Sequence, residues 1–143
     1  MKNIRNSFQL LFVYLVTLAS PLAAKTKSLI IDLNDDSIPD RVEIVAGKSY
    51  NLNGYKRAIP PRGYDTKDIL DRELVVIKLS NGQKYYIAFP FADRLTTPSQ
   101  MTNKREFRNC LRQKVKGFFA FSEEGAFFIY YLEGKIHYSP CFL

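Results

Sequence analysis

The sequence predicts a mainly β domain of the α+β type, an antiparallel sheet or meander carrying one helix in its C-terminal half, behind a cleaved export segment. Three observations support this. Short apolar runs alternate with polar residues between turn signals, as in the segment around Asn81-Gly82. The chain carries 11 Phe and 9 Tyr but no Trp, and several of these aromatics are clustered near the C-terminus. Only one stretch, opening at Thr97-Pro98-Ser99-Gln100, has the signature of a helix start.

Residues 1–24 read as a signal peptide. Lys2 and Arg5 form a positive n-region, an apolar run follows from about Leu10 to Ala19, and Ala23 and Ala24 supply small residues at a cleavage point. The run is shorter than the roughly 20 apolar residues a bilayer core requires, and Pro21 interrupts its end. Removal leaves residues 25–143, enough for a single compact exported domain, periplasmic or secreted and not membrane-spanning.

Residues Ser28 to Ala46 read as a strand, an acidic loop and a second strand, with Val42 and Ile44 on one side and Arg41 and Glu43 on the other. The stretch from Gly47 to about Lys67 holds three glycines, two prolines and several tyrosines, and reads as a long irregular segment. The clearest hairpin runs from Leu74 to Phe89 about Asn81-Gly82. A two-residue type I′ turn there would set Val76 opposite Ile87 and Ile77 opposite Tyr86. The helix should extend to about Lys114, with Met101, Phe107, Cys110 and Leu111 near one face. Three strands complete the chain, joined at Glu123 to Gly125 and at Glu133-Gly134, with seven aromatic residues between Phe118 and Tyr131 suiting a half-buried sheet.

The formal charge is +7, and two of the 21 basic residues, Lys2 and Arg5, leave with the export segment. A modest basic excess suits acidic partners, but in an exported protein it does not point to nucleic acid. Cys110 and Cys141 are the only cysteines. In an oxidising compartment an even pair reads as a disulfide, and closing a loop of about 30 residues contributes about 3.5 kcal/mol in the chain-entropy account.

One motif carries chemistry. Asp32, Asn34, Asp36 and Asp40 stand at the first, third, fifth and ninth places of a calcium loop, with the Ile38 carbonyl at the seventh and Glu43 at the twelfth. A tight loop aims alternate side chains at its centre, which suits a hard cation wanting six or more oxygens. The stretch from about Ile30 to Val45 resembles the Asp-rich loops of FG-GAP and VCBS-like proteins, in which a strand enters a segment such as D-x-N-G-D-G-x-P-D and a second strand leaves it. The resemblance implies a structural calcium ion held by Asp32, Asn34, Asp36, the Ile38 carbonyl and Asp40. An EF-hand is less similar, because its flanks are helices. Asp35 and Ser37 replace the family's glycines, and a Ser held at positive φ costs about 1 kcal/mol. The same acids also fit a solvated turn in which Asp side chains cap backbone amides.

Other residues give less. The sole histidine, His137, falls opposite Tyr130 on a strand, and a zinc or triad site has no second histidine to build on. No catalytic residue is assigned. Tyr50, Tyr55, Arg57, Arg62 and Tyr64 in the irregular stretch are the residue types that dominate interface hot spots, and also fit an ordinary loop folded onto the sheet. The combined expectation is a non-enzymatic, calcium-binding interaction module of the bacterial envelope whose partner is another envelope or exported protein. A narrower version is a periplasmic inhibitor or immunity-type protein. The alternative is a periplasmic hydrolase using carboxylates or the bound metal.

Overall fold

Alternation along the strands builds two sheets face to face. The computed structural model describes residues 27–63, 69–88, 92–100, 115–122 and 125–141. Residues 1–24, expected to be a signal peptide, Tyr64, Cys110, Glu123, Glu124 and the body of the expected helix lie outside them.

The first sheet has the strand order β1-β2-β4-β5-β3, with β1 at Ser28–Ile31, β2 at Asp40–Ala46, β3 at Lys56–Arg57, β4 at Glu73–Lys78 and β5 at Lys84–Ala88. The second has the order β6-β7-β8-β9, with β6 at Arg94–Thr96, β7 at Gly117–Ser122, β8 at Gly125–Leu132 and β9 at Lys135–Cys141. The C-terminal meander and the Ser28 to Ala46 hairpin are as expected from sequence. The arrangement is more than one meander, since β3 runs parallel to β5 at a sheet edge.

Residues 56 to 59 seam the two sheets. Ala58 N–H donates to the Tyr86 carbonyl at 3.0 Å. One residue on, Ile59 N–H donates to Ile136 O at 2.9 Å and Ile59 O accepts from Tyr138 N–H at 3.2 Å. At the other edges β1 lies beside β6. An edge strand left open is a template for unwanted pairing, and this seam covers one such edge.

The core follows from the two-residue period. Val42, Ile44, Val75, Ile77, Tyr85 and Ile87 face Phe118, Ala120, Ile129, Ile136 and Tyr138. A second buried cluster on the other face of the second sheet joins Phe119, Ala126, Phe128, Tyr130 and Cys141, with Val115 and Phe121 packed against it. The aromatic run is therefore buried on both faces, not half-buried as its composition suggests, which is why GFFAF and AFFIYYL are nearly unbroken in apolar character. Gly117 is required here, because a Cβ on it would collide with the Ile129 carbonyl and the Phe128 ring.

The central hairpin differs from expectation by one residue. Val76 pairs with Tyr86 and Val75 with Ile87, because the loop has three residues, Ser80 to Gly82, not two. Leu79 O accepts from Gly82 N–H at 3.0 Å, Gly82 sits at φ 88°, and Leu79 N–H closes the loop on Gln83 O at 2.8 Å. A turn followed by a left-handed glycine shifts the register by one relative to a type I′ turn. Glu133 (φ 53°) and Gly134 (φ 77°) do form the expected two-residue connection, pairing Leu132 with Lys135.

The expected helix to about Lys114 lies outside the described residues from position 101 on, and no α-helix occurs among the described ones. Pro98–Gln100 forms a 3-10 turn in which Thr97 N–H donates to Gln100 Oε1 at 3.2 Å, half of the capping-box exchange. Among the described residues no helix is long and apolar enough to cross a membrane.

Candidate functional site

Strands β1 and β2 close on the Ile31–Asp40 pair, leaving residues 32–39 to turn the chain. Two of them, Asp35 (φ 58°) and Ser37 (φ 66°), adopt the left-handed conformation that glycine takes most readily. These reversals bend the backbone so that its amides meet its own carboxylates. Ser37 N–H donates to Asp32 Oδ2 at 2.9 Å, Ile38 N–H to Asp36 Oδ1 at 2.8 Å, and Asp36 N–H to Asn34 Oδ1 at 3.4 Å. Asn34 Nδ2 donates to Asp36 Oδ2 at 3.1 Å.

Two residues from elsewhere complete the site. Ser80, in the β4–β5 loop, donates its hydroxyl to Asp36 Oδ2 and its N–H to Asp40 Oδ1 at 2.7 Å. The Ser80 hydroxyl, followed by the Ile38 amide, holds the Asp36 carboxyl below the ordinary carboxylate range. Lys116, which precedes β7, places its ammonium 2.5 Å from Asp35 Oδ1 and 3.9 Å from Asp32 Oδ2. The hydrogen bond to Asp35 pushes its titration upward. Neither residue was visible as a site member in the sequence. Ser80 merely precedes an Asn-Gly pair, and Lys116 is one basic residue among many.

The expected ligands divide into three groups. Asp32, Asn34 and Asp36 gather on one loop, and the Ile38 amide joins them. Asp32 Oδ1 is buried and has no hydrogen-bond partner. Asp40 is in the same loop region but is only 1% exposed, and its two oxygens accept from Leu33 N–H and Ser80 N–H, each at 2.7 Å. It acts as a brace between two loops. Glu43 is set apart. It lies three residue pairs along β2, across from Ser28 and on the opposite face from Asp40, with Oε1 3.4 Å from Arg41 Nε.

Chemically, the loop offers carboxylate and amide oxygens, the donors a hard divalent cation takes. Among the described residues no three His, Cys, Asp or Glu side chains already converge as a metal cage. The charge of the loop is met instead by Lys116.

Of the other expected residues, Tyr50 and Tyr55 fold back onto the first sheet. The Tyr50 and Tyr55 hydroxyls hydrogen-bond at 2.8 Å and their rings meet edge to face at 5.7 Å. Lys84 stands 5.6 Å over the Tyr55 ring, and Glu43 lies close enough to act on its hydroxyl electrostatically. Tyr55 thus lies on the outer face within reach of both Glu43 on β2 and Lys84 on β5. Arg57 is exposed on β3, and Arg62 is exposed in the turn ending at Gly63. The structure brings the two tyrosines together but does not gather the arginines with them.

His137 stacks on Tyr130 with ring centroids 5.5 Å apart, as the register anticipated, and its Nε2 lies 3.2 Å from Leu132 O. Cys141 is buried at the end of β9, and no cysteine among the described residues is a free thiol. Compared with known proteins, the chain matches no family model, no curated protein and no solved structure.

Proposed function

We propose that the protein is an exported, non-enzymatic interaction module of the bacterial envelope, braced by a calcium ion in the 32–40 loop and by a Cys110–Cys141 disulfide. The observation that carries the calcium reading is the unpartnered, buried Asp32 Oδ1 within a loop whose backbone is left-handed at Asp35 and Ser37. A buried, orphaned carboxylate oxygen is the kind of group a hard cation satisfies. Asp32, Asn34, Asp36 and the Ile38 carbonyl would hold the ion, and Asp40 would keep the loop in place from behind. The FG-GAP and VCBS-like resemblance of residues 30–45 supports the same assignment.

Export to the periplasm or beyond is supported by the layout of residues 1–24, and such a compartment favours both a disulfide and a calcium-loaded loop. The cation's role is structural. It would tie β1–β2 to the β4–β5 loop through Asp36 and Ser80, so that the strands present a fixed surface to an envelope or exported protein. Recognition of that kind fits a periplasmic inhibitor or immunity-type protein.

A melting curve with and without calcium tests the reading. Calcium at about 1 mM, within the range of extracellular modules, should raise the midpoint of the wild type, and Asp32→Ala should abolish the rise. A midpoint insensitive to calcium in both proteins would reduce the loop to a turn.

A further inference from the structure

Strand register assembles a feature that no stretch of sequence contains. Arg41 on β2 lies directly across from Lys78 on β4, and Lys78 directly across from Lys84 on β5. Ile30 on the edge strand β1 continues the line, across from Arg41. All four sit on the outer face of the first sheet, because their neighbours Val42, Ile77 and Tyr85 point into the core. With strands about 4.8 Å apart, the three cations form a ridge about 10 Å long.

Such a row works against folding, since like charges directly opposite one another in a sheet are destabilising. The relief on the molecule is partial. Glu43 meets Arg41 at 3.4 Å and Lys84 stands 5.6 Å over the Tyr55 ring, but no described acid pairs with Lys78 or Lys84. At the end of the row Ile30 is 68% exposed, the most exposed of the large apolar side chains described.

We infer that this row is the docking surface for a partner protein whose matching face carries a short run of carboxylates beside an apolar side chain. Carboxylates complement Arg41, Lys78 and Lys84, and an apolar side chain covers Ile30. A protein fits better than an anionic bilayer or a uniformly charged polymer. Glu43 lies on the same face beside Arg41, and an unbroken negative surface would be repelled there, whereas a protein face can vary its charge over a few ångströms. The inference names the partner chemistry of the interaction module proposed above and rests on that reading. The calcium melting experiment reads the loop alone, so the row and the calcium brace fail separately.

The test is fluorescence anisotropy of a labelled peptide alternating glutamate with serine and ending in leucine, titrated with the purified protein. A peptide with lysine in place of glutamate, anionic phospholipid vesicles and a uronic-acid polysaccharide serve as competing probes. The wild type should bind the acidic peptide, more weakly as salt rises. Lys78→Glu should weaken binding at least about tenfold while leaving the melting midpoint equal or higher, because it relieves the repulsion within the row. Lys78→Gln should fall between the two. Lys135→Glu, with the same change in net charge on the second sheet, should bind as the wild type does. Absence of wild-type binding, equal loss in Lys135→Glu, or stronger binding to the vesicles or polysaccharide would each overturn the inference.

Discussion

Asp40 Oδ1 accepts the backbone N–H of Ser80 at 2.7 Å, joining two loops 40 residues apart in the chain. Its other oxygen accepts Leu33 N–H at the same distance, and the residue is buried. Removing the carboxylate strands two amide donors. We expect Asp40→Ala to destabilise the domain by about 3 kcal/mol, with Asp40→Asn about half as damaging because its single carbonyl oxygen retains one acceptor. Urea denaturation of the three proteins measures both.

Ser37 holds φ at 66° without the freedom of glycine. Ser37→Gly should therefore stabilise the protein by about 0.5–1 kcal/mol, and its amide can still reach Asp32. A fall in the denaturation midpoint would show that the serine side chain matters in itself.

Gly117 leaves no room for a methyl group between the Ile129 carbonyl and the Phe128 ring. Gly117→Ala should cost about 3 kcal/mol and perturb the near-ultraviolet signal of the surrounding aromatics. Alanine at Gly54, where a Cβ would meet open space, incurs only the left-handed φ of 82°, so the contrast isolates packing from backbone strain.

Tyr55 ionises above the ordinary phenol value of 10.0, first because it is partly buried and then because Tyr50 hydrogen-bonds to it. A folded value raised above the unfolded one contributes stability that is fully present below the unfolded value and is lost as pH rises through the folded value. Tyr50→Phe should bring the Tyr55 titration down towards the ordinary value, read as phenolate absorbance. The variant should be less stable than the wild type at neutral pH, and that difference should shrink as pH rises past the ordinary phenol value.

Reducing the proposed Cys110–Cys141 bond, or removing it as Cys110→Ala/Cys141→Ala, should cost about 3.5 kcal/mol. The loss should appear in denaturation with and without reductant, and the double variant should be indifferent to reductant. Equal midpoints under both conditions in the wild type would remove the bond from the account.

Much of the fold was legible because local pattern decides it. The alternation of Val42 and Ile44 with Arg41 and Glu43 set the faces of β2. Glu133-Gly134 set the last hairpin, and with it the meeting of His137 and Tyr130. The central hairpin was less legible, since Asn-Gly fits two turn types whose registers differ by one residue, and only the hydrogen bond from Gly82 N–H to Leu79 O selects between them. Within the site, Asp32, Asn34 and Asp36 were visible from spacing, whereas Glu43 matched the spacing but was turned away by the strand's two-residue period.

By itself, then, the sequence determined which segments become antiparallel strands and where the oxygen-rich loop falls, because both depend on neighbours a few residues apart. Only the tertiary structure decided that residues 56 to 59 seam the two sheets. It also decided that Ser80 and Lys116 complete the loop, and that Arg41, Lys78 and Lys84 form one row. Each of these joins residues from different strands or loops through sheet register and packing. Those contacts arise from burying the shared core, so the residues they join carry no mark of one another in the chain.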